Sequence, residues 1–212
     1  MRYLDHDEFY SMQTKNFLPL RDIVINTQEL DEQLAPYKQY FRNWGVNHLE
    51  KMFRQGIPLV NGTGNLDDEV DPTIWPLDQY NREHGTVLRD NHFTTPTPIL
   101  DLPCFDSLAP IKPYMLRSSV IWWKKGSFFF PHIDSVLPTG YIRLWGTNKP
   151  ENYLFSYLEG SNHTQQDGWD EGQIYLCDTV KQHYAEALAD DVYTYFFCLD
   201  SSAYDVVKEL SS

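Results

Sequence analysis

FFFPHIDSVLPTGYIRLWGTN, residues 128–148, places two aromatic and β-branched segments on either side of a proline–glycine turn. Phe, Ile, Tyr and Trp suit a pleated, half-buried surface. Pro138-Thr139-Gly140 has turn chemistry. The expectation is a strand over 127–134, a turn, and a second strand over 141–145. The first strand ends in His132-Ile133-Asp134. Residues two apart in a strand point the same way, so His132 and Asp134 can share a barrel interior while Ile133 faces out. Phe128, Phe129 and Phe130 would give that pair an apolar, water-poor setting. The His-x-Asp triplet alone decides little. In a chain with 7 His, one such triplet arises by chance about half the time. The alternative to a pair of metal ligands is a polar pair at a strand end, salt-bridged or solvated.

Strand-like segments continue on both sides. Residues 115–123 are apolar and β-branched, and Gly126 marks the turn that follows. Residues 152–158, 173–177, 182–187 and 191–199 read as further strands, with helix an option for 181–189 because KQHYAEALA holds good helix formers. A polar loop, EGSNHTQQDGWDEG, separates two of them. Seven or eight short strands divided by turns are the signature of a jelly roll or sandwich.

The first half mixes helices and loops. Residues 19–26 read as a strand, and Thr27 is placed to cap a helix holding Leu30 and Leu34. Pro36 suits the first turn of a next helix. There Tyr37, Phe41 and Trp44 share a face at helical spacing, with Leu49, Met52 and Phe53 as a second cluster, a pattern that usually packs into a core. Residues 57–60 suit a strand and 79–84 a helical segment closed by Gly85. Proline-rich residues 94–113 read as an irregular connector. The expected layout is α+β in a single domain: helical and loop support with early strands over 1–113, a barrel core over 114–200, and a tail over 201–212.

The totals exclude several classes. Net charge is −13 over 212 residues, and such a surface repels phosphate backbones, so general nucleic-acid binding is not expected. Cys104, Cys177 and Cys198 show neither CxxC spacing nor an even count, which fits a reduced, cytoplasmic setting better than a disulfide framework. NGTGN, residues 61–65, is neither GxGxxG nor a P-loop. The N-terminal residues lack an apolar signal core, and no apolar run nears the roughly 20 residues of a membrane helix.

A third ligand would complete a 2-His-1-carboxylate set, which leaves adjacent coordination positions open and suits oxygen-activating Fe(II). His183, just after a turn, is preferred over His163 in the polar loop; His84 and His92 precede the strand region. His48-Leu49-Glu50 lies in a helical stretch, where spacing of two turns side chains apart. His6-Asp7-Glu8 lies at the terminus.

RSSVIWWKKGSFFFPHIDSVLPTGYIRLWGTN, and then EGQIYLCDTVKQHYAEALADDVYTYFFCLD, resemble the double-stranded β-helix of the Fe(II)/2-oxoglutarate-dependent oxygenases, in style the aspartyl/asparaginyl β-hydroxylase-like subgroup. The shared order is Gly126, His132-x-Asp134, Arg143-Leu144, Gly172, Asp178, His183 and a last long strand over 191–199, a little under half the chain. The resemblance implies a jelly-roll, cupin-like barrel with supporting N-terminal helices. It implies Fe(II) on His132, Asp134 and His183, and 2-oxoglutarate chelating that metal through its keto-acid end. Because Asp134 is retained, it implies hydroxylation rather than halogenation. A small-molecule or peptide substrate would follow.

The chain departs from the pattern in one place. Most members hold the far carboxylate of 2-oxoglutarate with an Arg on the final strand, where this chain has Tyr193. A buried dicarboxylate needs a cationic or strongly hydrogen-bonding partner. Arg143 is the expected substitute, since Tyr141, Arg143 and Trp145 alternate onto one face; Tyr193 could add a hydroxyl, and Arg117 is a weaker candidate. Two other functions compete: a non-catalytic binding module on the same fold, and a cupin-like metalloenzyme that uses no 2-oxoglutarate.

Overall fold

The computed structural model describes residues 18–44, 53–134 and 141–211. In chain order the strands are β1 (Leu18–Val24), β2 (Arg42–Asn43), β3 (Arg54–Asn61), β4 (Thr95–Pro96), β5 (Ser118–Trp123), β6 (Phe128–His132), β7 (Tyr141–Thr147), β8 (Tyr153–Glu159), β9 (Asn162–Gln165), β10 (Gln173–Leu176), β11 (His183–Ala187) and β12 (Val192–Asp200). The α-helices are α1 (Thr27–Leu34), α2 (Leu77–His84) and α3 (Tyr204–Leu210).

The strands form two antiparallel sheets. The larger runs β1-β10-β7-β12-β5-β3-β2, with β4 on β3; the smaller runs β6-β11-β8-β9. From β5 onward the chain passes back and forth between them: β5, β7, β10 and β12 join the larger sheet, and β6, β8, β9 and β11 the smaller. The two sheets face each other across a core in which Trp123, Trp145, Tyr175 and Phe196 of the larger meet Tyr153, Phe155, Tyr157 and Ala185 of the smaller.

The larger sheet is buried on both faces. On β12, Val192, Phe196 and Cys198 enter the core between the sheets. Tyr193, Tyr195, Phe197 and Leu199 point to a second core, shared with Leu30 and Leu34 of α1 and with Ile99, Phe105 and Leu108 of the connector. A strand covered on both sides loses the alternation of polar and apolar residues, as YTYFFCL does. Each fully buried side chain of that kind contributes about 1.5–3 kcal/mol.

Several expectations are refined. Thr27 does not cap α1: Asn26 holds the N-cap position without a side-chain cap bond, and the Thr27 hydroxyl donates to the Glu171 carboxylate instead. The Pro36 segment is a 3₁₀ helix, Ala35–Tyr40, that stops where Phe41 turns extended. Arg42-Asn43 then pairs with Gln55-Gly56, so Tyr37, Phe41 and Trp44 do not share one helix. Leu49, Met52, the histidines His6 and His48, and the Pro138–Gly140 turn lie outside the described residues. The polar loop contains β9, exposed at all four residues; no face of it is buried, so it carries no alternation to read. The tail over 201–212 contains α3, whose Tyr204 and Val207 dock into the second core. Residues 94–113 form a chain of 3₁₀ turns.

Gly126 closes the β5–β6 turn at φ +78°. Gly172 has φ +73°, and a Cβ there would lie 2.3 Å from the Ile25 carbonyl oxygen, so neither the backbone nor the space admits a side chain.

Candidate metal centre

His132 ends β6 and His183 begins β11, and the two are cross-strand partners in the smaller sheet. Their rings lie 4.4 Å apart. Asp134 lies past the end of β6, which stops two residues before the expected strand end. Its backbone N–H donates to the Thr179 carbonyl at 3.1 Å. The turn that supplies this acceptor is itself shaped by Asp178, whose buried carboxylate accepts from the Val180 N–H at 3.2 Å. One turn therefore sets both Asp134 and His183.

Each imidazole is held by its Nδ1. That of His132 lies 2.7 Å from the Phe130 carbonyl oxygen, and that of His183 lies 2.9 Å from the Lys181 carbonyl oxygen. A carbonyl only accepts, so Nδ1 carries the proton and each Nε2 presents its lone pair. Both Nε2 atoms face Asp134: its Oδ1 is 3.0 Å from His132 and 3.9 Å from His183. The ligand atoms of His132, Asp134 and His183 all lie within 4.8 Å of one another, the one such cluster among the described residues. Facing acceptors repel. A divalent cation among the three atoms relieves them. Two ligands at right angles and about 2.1 Å from a metal lie about 3 Å apart, so the donor set fits a cation with small adjustments.

The surroundings favour that use. Burial pulls the His183 imidazole below its ordinary value, against the pull of Asp134, which keeps it neutral and able to ligate. Burial pushes the Asp134 carboxyl up, but the neighbouring His132, His183 and Arg143 outweigh it and hold the group well below the usual carboxylate range. His183 stacks on Phe155 at 5.2 Å.

Phe129 packs edge-on against His132 at 4.0 Å. The Phe triplet is not uniformly inward, because β6 carries a register shift between the pairs His183–His132 and Ala185–Phe129. That bulge turns Phe129 inward with His132 and leaves Phe130 44% exposed. Ile133, expected to face out, is 48% exposed.

Arg143 is buried on the inner face of β7, as its alternation with Tyr141 and Trp145 predicts. It is not free. Its Nη2 donates to Asp90 Oδ2 at 2.8 Å, and Arg117 Nε lies 2.8 Å from Asp90 Oδ1. Two guanidinium groups share one carboxylate, leaving a net charge of +1. Burial raises the Asp90 carboxyl, but Arg143 and Arg117 outweigh it and hold it below its ordinary value. The Nε and Nη1 of Arg143 have no hydrogen-bond partner.

Tyr193 is not brought to the site. It stacks on Trp122 at 6.2 Å, in the second core on the opposite face of β12. The correction follows from register: Val192, Thr194 and Phe196 alternate inward, and Tyr193 falls on the other parity. His163 is exposed beside Tyr184, His84 stacks on Tyr80, and the Nδ1 of His92 accepts from the Arg89 N–H; none joins the cluster.

Two participants carried no signal in sequence: Asp90, in the RDNH loop, and Arg54, at the start of β3. Arg54 is 3% exposed and lies over the Phe129 ring at 3.8 Å. A charged residue at a strand end ordinarily reaches solvent, so only its burial marks it out.

No family model matches this chain, and no curated protein matches it. Among solved structures it is similar to a prolyl hydroxylase from Trichoplax adhaerens in complex with a hypoxia inducible factor peptide fragment, at 14% identity and TM-score 0.49, covering 94% of this chain and 93% of that one. It is also similar to SnoN, a non-heme alpha ketoglutarate dependent epimerase from nogalamycin biosynthesis, at 13% identity and TM-score 0.47, covering 92% and 82%. HygX from Streptomyces hygroscopicus, with nickel, 2-oxoglutarate and hygromycin B bound, gives 11% identity and TM-score 0.46, covering 93% and 87%. Likeness of this degree carries nothing about function, which rests here on the chain's own residues. No described helix is long and apolar enough to cross a membrane.

Proposed function

We propose that this chain is an Fe(II)- and 2-oxoglutarate-dependent dioxygenase, built as a single domain on a double-stranded β-helix, that hydroxylates an amino acid or peptide side chain. The observation that carries the proposal is the convergence of His132 Nε2, Asp134 Oδ1 and His183 Nε2, with both Nδ1 atoms already committed to carbonyls. Three protein ligands of this kind leave open positions on Fe(II), and the bound metal and cosubstrate supply the oxygen-activating chemistry.

The remaining roles belong to side chains. The Phe130 and Lys181 carbonyls orient the two imidazoles and fix their tautomers. Phe129 and Phe155 pack on those rings and keep water from them. Arg143, within electrostatic reach of Asp134, offers its Nε and Nη1 donors to an acid group beside the metal. Phe130 and Ile133 are exposed next to the ligands and give a substrate side chain an apolar rim to pack against.

The test is succinate formation from 2-oxoglutarate with Fe(II) and oxygen, run beside Co(II) binding by calorimetry. The proposal expects both in the wild-type protein and neither in Asp134→Ala. Wild-type protein that takes up no Co(II) contradicts it.

A further inference from the structure

Arg54 presents a problem that the triad does not solve. Its side chain is 3% exposed. Its Nε and Nη1 have no hydrogen-bond partner, and no described carboxylate forms an ion pair with it. Its guanidinium lies over two rings, 3.8 Å from the centre of Phe129 and 5.3 Å from that of Trp123. Ring faces attract a cation, but they do not replace the hydration it gives up on burial. Burial accordingly pulls the guanidinium down to about 9, with Tyr153 working the other way. It remains charged at neutral pH and lacks a counter-ion among the described residues.

The Tyr153 hydroxyl lies within electrostatic reach of it. Tyr153 is 2% exposed. The Trp145 indole N–H is directed at the hydroxyl oxygen, and the hydroxyl's own proton has no acceptor among the described residues. Buried polar groups are otherwise satisfied in folded proteins. A guanidinium and a hydroxyl with unspent donors in one dry place describe an anion site.

We propose that Arg54, with the Tyr153 hydroxyl, binds the distal carboxylate of the short 2-oxo dicarboxylate whose keto-acid end sits at the His132–Asp134–His183 centre. The assignment rests on the function proposed above and adds to it the missing cation.

The spacing agrees. Arg54 covers Phe129, whose partner on β11 is Ala185, two residues from His183. Two residues of strand span about 7 Å, the scale of a five-carbon dicarboxylate with its metal contacts. The inward residues of β11 after His183 are Ala185 and Ala187, whose small side chains occupy little of the space between the two ends. Tyr153 lies within electrostatic reach of both Asp134 and Arg54, so the path from one to the other passes it. Arg143 suits the far carboxylate less well, because Asp90 already offsets its charge and Asp134 is its neighbour. At the depth of Arg54, the occupant is a small molecule enclosed by the sheets rather than a side chain of a larger substrate.

The test uses the Co(II)-loaded full chain, titrated with 2-oxoglutarate and with 2-oxobutyrate, which has the same keto-acid end and no distal carboxylate. Binding is followed by tryptophan fluorescence and calorimetry. The wild-type protein is expected to prefer 2-oxoglutarate by about 30-fold or more, the loss associated with a hydrogen bond to a charged group. In Arg54→Met that preference collapses to within about 3-fold, while the Kd values for 2-oxobutyrate and Co(II) hold. Tyr153→Phe, a smaller change that keeps the fold should Arg54→Met not fold, weakens 2-oxoglutarate about 5-fold and leaves 2-oxobutyrate unchanged. If both variants keep the wild-type preference, Arg54 is not the anchor although the cosubstrate stands. If the wild-type protein binds Co(II) but neither acid, the cosubstrate falls and the anchor with it.

Discussion

Asp90→Asn removes one negative charge from between two buried guanidinium groups. Arg143, Arg117 and Asp90 have side chains only 5%, 12% and 11% exposed, and both contacts measure 2.8 Å, so solvent screens little of the interaction. The variant keeps shape and volume but leaves like charges facing each other in the interior. Breaking a buried ion pair by neutralising one partner costs about 3–5 kcal/mol, which for a chain of this length lowers Tm by roughly 6–20 °C. Thermal unfolding followed by circular dichroism measures it. The pH dependence has a definite sign. Asp90 is held below its ordinary value in the folded protein, so its contribution is present above the unfolded value of about 3.9 and is lost as pH falls through the folded one. The gap between wild type and Asp90→Asn is therefore widest near neutrality and narrows below about pH 4. Asp78→Asn is the control. Its pair with Arg82 has side chains 69% and 72% exposed and contributes no more than about 0.5 kcal/mol. A loss under about 1 kcal/mol in Asp90→Asn, or a gap independent of pH, would refute the claim that this cluster is a low-dielectric site.

Other perturbations test separate parts. Gly146→Ala puts a Cβ 2.6 Å from Ile174 Cδ1 and 2.7 Å from the Gln173 carbonyl oxygen; overpacking between β7 and β10 should cost about 1–3 kcal/mol in denaturant unfolding. Tyr193→Phe should leave Co(II) and 2-oxoglutarate affinities at wild-type values by calorimetry, because the ring lies in the second core. His163→Ala should likewise leave Co(II) affinity unchanged. Val207→Ala, at a fully buried position of α3, should lower stability by about 1–3 kcal/mol in the same unfolding assay, although the segment reads as a tail.

What the sequence reveals follows from which faces are buried. The strands β5, β7, β8 and β12 were legible because they carry dense aromatic and β-branched runs between strong turn residues such as Gly126 and Gly172. His132 and His183 could be singled out from seven histidines, and Asp134 with them, by strand context and by the resemblance. Alternation then placed Arg143 correctly on the inner face but could not show that Asp90 had claimed it. Asp90 comes from a loop 53 residues earlier in the chain, and long-range pairing of that kind leaves no local pattern. The Phe triplet was expected to surround the pair as a whole, but a bulge between Phe129 and His132 changes parity, so Phe129 packs on His132 while Phe130 is exposed. Tyr193 was drawn to the site by its place in the chain, where register sends it to the other core. Arg54 was overlooked because an arginine near a strand end is ordinarily solvated, and only the packing of Trp123, Phe129 and Tyr153 around it reveals otherwise.

The central claim is that His132, Asp134 and His183 form one metal centre, and anaerobic Fe(II) titration tests it most directly. One equivalent should bind the wild-type chain. His132→Ala, Asp134→Ala and His183→Ala should each weaken binding by at least about 100-fold, since changes to groups outside the ligand shell alone cost 10–100-fold. All three should keep the wild-type circular dichroism spectrum. Wild-type affinity retained in any folded one of the three would contradict the centre.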